Sequence, residues 1–416
     1  MCILWYNRAV RGAIAMKISK FATVIISVLM CIFILAGVTS CGGGQDKDPD
    51  PTPNPQVTPT PTPPPSTPEP TPVPVVLAPY DGDVEHIFFH EVIAYPELAF
   101  DGDSAQKGLD DYMVTVHEFN LILESLYKND FVLINLNDVW SEYTNDNGHM
   151  RMRRNTLMIP EGKKPIVISF DDLSFYEYMK GDGFLERYII GGDGNIWAEG
   201  VDPGGNAVVS QDLASITILD KFVREHPDFS HNGAKGCIAF TGYEGILGYR
   251  TQNNKDDDSE EFRLARMMEV ARVMPVVERL HATGWYFATH SYGHINLEGA
   301  STASVQADAE RWMDEVGSLV GPTQIFIYPF GTRLDGGDVG NVGPAFQFYH
   351  ELGFRLFASV GREPYTQIKT DIGAVIMDRM AVDGYSLRNR RERFLRFYDA
   401  KDVFDPMRPA EYGTDW

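Results

Sequence analysis

Two carboxylates stand side by side in "PIVISFDDLSF", residues 165–175, where Asp171 and Asp172 close an apolar run of strand length. Adjacent negative charges at the tip of a buried strand repel each other and cost desolvation. Far along the chain, "THSYGH" places His290 and His294 four residues apart. Two imidazoles and one carboxylate make a three-ligand nitrogen and oxygen metal site that leaves a coordination position for water. One carboxylate can then bind the ion while its neighbour takes a proton from water. The ion's charge removes the repulsion. Each feature alone has a plainer reading. An Asp pair caps helices or opens turns, and His-x-x-x-His can be two surface residues one helical turn apart. Their joint occurrence favours the metal. His90 ends another apolar run, "HIFFH" (86–90), either as a packing residue or as a participant.

For these residues to meet, the runs that carry them must be neighbours. Strand-like runs fall at 86–90, 131–136, 166–170, 236–241, 284–290, 324–330, 354–360 and 373–377. Between them lie helical patterns at 115–129, 215–226, 259–283, from 301 or 302 to 320, and 341–352. Pro275 kinks or divides the third of these. Alternation of this kind means a parallel sheet, either closed as a barrel or open and doubly wound. In both, functional residues belong at the C-terminal ends of strands.

Not all of the 416 residues can be globular. Residues 17–40 read as a secretory leader, with Lys17 and Lys20 before an apolar core. It ends in "VTSC", which resembles a lipobox and implies lipidation at Cys41 and attachment to the outer face of a bacterial membrane. Met16 opens a leader of normal shape, so residues 1–15 read as a mis-called start; an uncleaved signal anchor is the plainer alternative. Residues 41–79 are a Pro/Thr-rich disordered spacer. Extended at ~3.1 Å per residue, it holds the next domain up to ~100 Å from the bilayer. Residues 80–416 form one domain of ordinary composition. Of four cysteines only Cys237 lies in it, so no internal disulfide forms and Cys237 is a buried core residue. A formal charge of −22 argues against nucleic acid or an anionic surface as substrate and favours a neutral or cationic polymer. No oligomeric state is indicated.

With these residues in view, the sequence resembles the polysaccharide deacetylases with a NodB-homology domain, carbohydrate esterase family 4. The resemblance implies an α/β fold, a distorted (β/α) barrel with an inserted hairpin and loop region. It implies a divalent metal, zinc foremost, and an N-acetylated (or O-acetylated) polysaccharide as substrate. "SFDD" is similar to the first family motif, which makes Asp171 the base and Asp172 a metal ligand. "HSYGH" is similar to the second, which makes His290 and His294 the other ligands. "YPFG" is similar to the third, which makes the Phe330 N–H an oxyanion donor. The chain departs from the pattern in three places. Leu173 stands where Gly is usual, Ile327 where an Arg orients the base, and the C-terminal Leu-x-His motif is absent. Arg379, just past the last predicted strand, is the candidate replacement for the arginine. "IFFHE" (87–91) has the form of the missing motif, and some exopolysaccharide deacetylases resemble a circular permutation that puts this His on the first strand. By that analogy His90 is the general acid. The long segment 175–233 is either a surface elaboration or a lid on the rim, with Trp197 or Tyr176 stacking on sugar rings. A glycan-binding surface lipoprotein that has lost catalysis is the alternative function. A solute-binding lipoprotein fits the leader alone.

Overall fold

The computed structural model describes residues 75–334, 343–369 and 372–416, all within a compact unit spanning 72–416. The leader, Cys41, most of the spacer and most of "DGGDVGNVG" lie outside the described residues. Ordered pairing starts at Leu77, inside the predicted spacer, where Leu77–Tyr80 runs antiparallel to Leu157–Pro160. No helix among the described residues is long and apolar enough to cross a membrane.

Seven strands carry the fold: β1 (Glu85–Phe89), β2 (Lys164–Asp171), β3 (Gly236–Phe240), β4 (Tyr286–Thr289), β5 (Ile325–Ile327), β6 (Leu356–Val360) and β7 (Ala374–Ala381). They pair in the order β3-β4-β5-β6-β7-β1-β2, all parallel, and β2 pairs back onto β3. The sheet is therefore a closed barrel and not an open one. Alternate residues explain why the strands read as unbroken apolar runs: both faces are covered. Val167, Cys237, Ala288, Ile327, Ala358 and Met377 belong to one buried cluster that fills the barrel. Their neighbours Ile168, Phe170, Ile238, Phe287, Phe326 and Phe357 belong to another, shared with the helices outside. Cys237 is free and fully buried, and burial pushes its thiol pKa up.

The helices on the outer face are α1 (Val116–Lys128), α2 (Ser215–Glu225), α3 (Glu260–Ala282), α4 (Thr302–Trp312) and α5 (Pro344–Glu351). Thr115 and Glu118 form a reciprocal cap on α1, and Ser259 and Ser301 cap α3 and α4. α3 runs unbroken through Pro275, so that residue does not divide it.

The run 324–330 is strand only over Ile325–Ile327, because Pro329 has no N–H for the ladder. The last strand extends to Ala381, so Arg379 lies inside it and not past it. The barrel is distorted where it closes. β7 meets β1 only at Met380↔Ile87 and Ala381↔Phe88. The earlier half of β7 pairs instead with the antiparallel strand Tyr365–Lys369.

The inserted segment is not a lid over most of its length. Residues 187–210 form an antiparallel sheet of Arg187–Ile190, Ile196–Val201 and Ala207–Ser210. Its first turn lies beside the C-terminal end of α3, where Arg279 donates to Asn195 Oδ1 at 3.1 Å. That end of α3 leads into the start of β4, opposite the ends from which functional residues project.

Candidate active site

Parallel strands put their C-terminal ends on one rim, and positions 90, 171, 290 and 330 arrive there together. Asp171 is the last residue of β2, and Asp172 follows it in a left-handed conformation, φ 61°. The two carboxylates converge: His290 Nε2 lies 3.8 Å from Asp171 Oδ2 and 4.0 Å from Asp172 Oδ2. His294 Nε2 is 3.6 Å from Asp172 Oδ2. One donor atom from each of Asp172, His290 and His294 lies within 4.8 Å of the others.

The local chain is shaped for this meeting. The spacing of four between the histidines is not a helical turn. Ser291 and His294 both have positive φ, 56° and 47°, so the chain bends back instead. Such conformations are uncommon away from glycine and gather at functional sites. The bend is pinned by Asp308, whose carboxylate accepts from the N–H groups of Tyr292 (2.6 Å) and Gly293 (2.8 Å).

These residues fit a divalent ion. His290 Nδ1 is 2.9 Å from the carbonyl of Ile327. A carbonyl only accepts, so Nδ1 carries the proton and Nε2 presents a lone pair to the site. The pKa of His294 is lowered, chiefly by burial, which favours the neutral imidazole that binds metals. Tyr176 donates to Asp172 Oδ1 at 2.7 Å, orienting the carboxylate.

Asp171 is held differently. Arg379 Nη1 donates to Asp171 Oδ1 at 2.8 Å and Nη2 to Oδ2 at 2.9 Å, a two-point clamp fully buried on the arginine side. Burial alone would raise the pKa of Asp171. The Arg379 guanidinium, with His290, outweighs burial and holds the carboxyl well below the usual carboxylate range. Arg379 is itself supported. Its Nη1 also donates to Ser169 Oγ (3.0 Å), its guanidinium lies 4.1 Å from the Phe88 ring centroid, and Ser169 meets His86 Nε2 at 3.0 Å. Ser169 and His86 were not singled out from the sequence. The period of two was the available signal, since 169 and 171 share a face of β2, and 86, 88 and 90 share a face of the first run.

His90 follows β1, and its Nδ1 lies 2.9 Å from the Tyr112 carbonyl, so its Nε2 is the atom left for substrate. The pairing of β7 with β1 brings it beside the Arg379 strand. Phe330 adopts φ 56° in the turn after β5, and its ring lies edge-on to His294 at 4.3 Å. Gly331 follows at φ 67°, and a Cβ there would come within 2.9 Å of Val360. Asp171, Asp172, His290, His294, Arg379, His90 and Phe330 line one cavity of about 400 Å³, together with Phe88, Tyr112, Met179 and Tyr178.

The two aromatic stacking candidates are corrected. Tyr176 is 1% exposed and already stacked on Tyr243 and Tyr178, so no ring face remains for a sugar. Trp197 lies on the flanking sheet, donates to Asp193 and packs on Gly191, outside the cavity lining. The exposed aromatics at the cavity are Tyr112, Tyr178 and Phe330.

No protein-family model matches the sequence, and no curated protein matches it. Solved structures do match. BA0330 of Bacillus anthracis, provisionally a polysaccharide deacetylase, is 12% identical at TM-score 0.39, over 72% of this chain and 65% of its own. The Streptococcus pyogenes deacetylase PplD, in complex with acetate, is 12% identical at TM-score 0.39, over 79% of this chain and 100% of its own. IcaB from Ammonifex degensii is 12% identical at TM-score 0.37, over 73% of this chain and 94% of its own.

Proposed function

We propose that this chain is a metal-dependent deacetylase that hydrolyses the acetyl group of an N-acetylated glycan. One observation carries the reading. A two-histidine, one-carboxylate cluster stands beside a second carboxylate that an arginine clamps out of the ligand set, at the floor of a cavity open to solvent. Asp172, His290 and His294 would hold the ion, zinc being the first choice for such donors. A divalent ion there supplies Lewis-acid activation of water and of the acetyl carbonyl.

The chain's own residues supply the rest. Asp171 stays ionised and takes the proton of the attacking water. The Phe330 N–H stabilises negative charge on the acetyl oxygen. His90 holds its Nδ1 proton on the Tyr112 carbonyl, so as imidazolium it gives its Nε2 proton to the leaving amine while the C–N bond breaks. Acetate and a free amino sugar result. The exposed rings of Tyr112, Tyr178 and Phe330 offer apolar faces to sugar rings. Arg379 stands where the base requires an arginine, which supports catalysis over a glycan-binding role alone. The leader and Cys41 add that the enzyme works outside the cell, tethered to a membrane.

The test is acetate release from peptidoglycan, N-acetylglucosamine exopolysaccharide, chitin oligosaccharides and acetylated xylan, with and without chelator. Release from at least one, abolished by chelator, is expected. Asp171→Asn should lower turnover by about 10²–10⁴-fold with metal content unchanged. Wild-type turnover in that variant would remove Asp171 from the mechanism.

A further inference from the structure

The chain as a whole is acidic, yet the cavity beside the active site is basic. The segment "RNRRERFLR" brings five arginines to the barrel's C-terminal flank. Three of them are neutralised. Arg388 is clamped on Asp110 at 2.9 Å, Arg391 on Asp399, and Arg396 on Glu85 at 2.7 Å and Glu363 at 3.3 Å. Arg390 and Arg393 have no carboxylate partner among the described residues. Neither has Arg362, which comes from the loop after β6. These three line one cavity of about 160 Å³ with Tyr385 and Phe394. It shares Val360, Ala381 and Asp383 with the active-site cavity, so the two adjoin through a common wall.

The carboxylates near the three guanidinium groups, Asp383 and Glu363, are engaged by other partners. Asp383 is the carboxylate in the wall, and it is committed to capping the next helix by accepting from Ser386 N at 2.7 Å. Arg390 donates to Tyr385 Oη at 3.1 Å, which fixes it over an exposed ring. Burial and then the nearby positive charges of Arg390 and Arg362 lower the pKa of Arg393, against a smaller opposing pull from Glu363, which pairs with Arg396 at 3.3 Å. Like charges held together with no carboxylate of their own repel each other, and a bound anion relieves that repulsion. Guanidinium groups match the planar and tetrahedral oxyanions of carboxylate and phosphate.

We propose that Arg362, Arg390 and Arg393 form an anion subsite for the substrate, so that the preferred glycan carries a carboxylate or phosphate on a sugar next to the one deacetylated. This rests on the deacetylase reading of the adjoining cavity. The wall shared with that cavity and the exposed Tyr385 ring favour a sugar chain over an anionic lipid surface. The expectation of a neutral or cationic polymer, drawn from net charge, is revised locally by this cluster.

The metal-loaded chain is assayed on two N-acetylated oligosaccharides of equal length. One is neutral; the other carries a carboxylate on alternate sugars, with a phosphate-bearing version as a further arm. The ratio of kcat/KM, anionic to neutral, should be about tenfold at low salt. It should fall towards one at high salt and in the R362Q/R390Q/R393Q variant. The corresponding triple lysine variant should keep part of the preference. A wild-type ratio near one, or a ratio unchanged in the glutamine variant, overturns the proposal. Binding of the de-N-acetylated anionic oligosaccharide, followed by calorimetry, separates this idea from the catalytic one. Binding that weakens about tenfold in the glutamine variant supports the subsite even if no substrate releases acetate, and no binding overturns it. Arginine-dependent sedimentation with anionic phospholipid vesicles, without any oligosaccharide preference, also overturns it.

Discussion

At the scale of single residues, the site separates two adjacent aspartates by their partners. Asp171 has a buried guanidinium and Asp172 has histidines and a tyrosine hydroxyl. Arg379→Met leaves the burial that raises Asp171 and removes the charge that lowers it. The acid limb of the kcat/KM profile should therefore move to higher pH. The stability consequence has the same origin. A carboxylate with a depressed folded pKa stabilises the fold above its unfolded pKa of ~3.9, and that contribution is lost as pH falls through the folded value. The variant should lose about 3–5 kcal/mol near neutral pH, read by denaturant unfolding, because a buried charge is left unpaired. An unmoved acid limb would separate Arg379 from the base. Tyr176→Phe removes only the hydroxyl that orients Asp172. Metal affinity should fall about 10–100-fold, measured by competition with a chelator, and unchanged affinity would reduce Tyr176 to packing.

At the scale of elements, His90 depends on a segment far from it in sequence. Its partner is the carbonyl of Tyr112, and residues 110–113 are held by Arg408 near the C-terminus. Arg408 donates to the carbonyls of Asp110 and Met113 and pairs with Asp110 (2.9 Å) and Glu118 (2.6 Å). All three charged side chains are fully buried. Glu118 also completes the cap of α1, so one arginine fixes a helix start and the backbone behind the candidate acid. Arg408→Ala should cost about 3–5 kcal/mol, since it strands buried carboxylates. Urea unfolding measures this; a loss below ~1 kcal/mol, the scale of a surface pair, would show that the network is not what holds the segment.

At the scale of the whole molecule, ligands from the turn after β2 and the loop after β4 stand on one rim only while the ring of strands is intact. Metal binding should therefore stabilise the barrel as a unit, by about 2.7 kcal/mol at a hundredfold excess over Kd. Thermal unfolding with zinc and then with excess chelator tests this, and an unchanged Tm would mean that the ligand cluster does not bind zinc in the folded chain. How these parts were legible differs. Apolar runs, their alternation with helices, and the Asp-Asp and His-x-x-x-His spacings were written in local sequence, because burial and chain geometry act over a few residues. The two histidines and the carboxylate pair could be named from those alone, while the division of roles between Asp171 and Asp172 followed from the family resemblance. Other features depended on pairs far apart in the chain. Arg379 reaches Asp171 only because β7 runs four residues beyond its predicted end and points alternate residues inward. Tyr176 stands four residues after Asp172, like a surface ring, yet stacking on Tyr243 turns it into an orienting group. Trp197 shares its segment with Tyr176 but lies on the barrel's flank, because its hairpin pairs within itself. Local stretches of chain thus specify which chemical groups are available. Only the closed barrel decided which side chains face it, since inward or outward direction and long-range neighbours follow from register and closure, and neither is carried by any single stretch of chain.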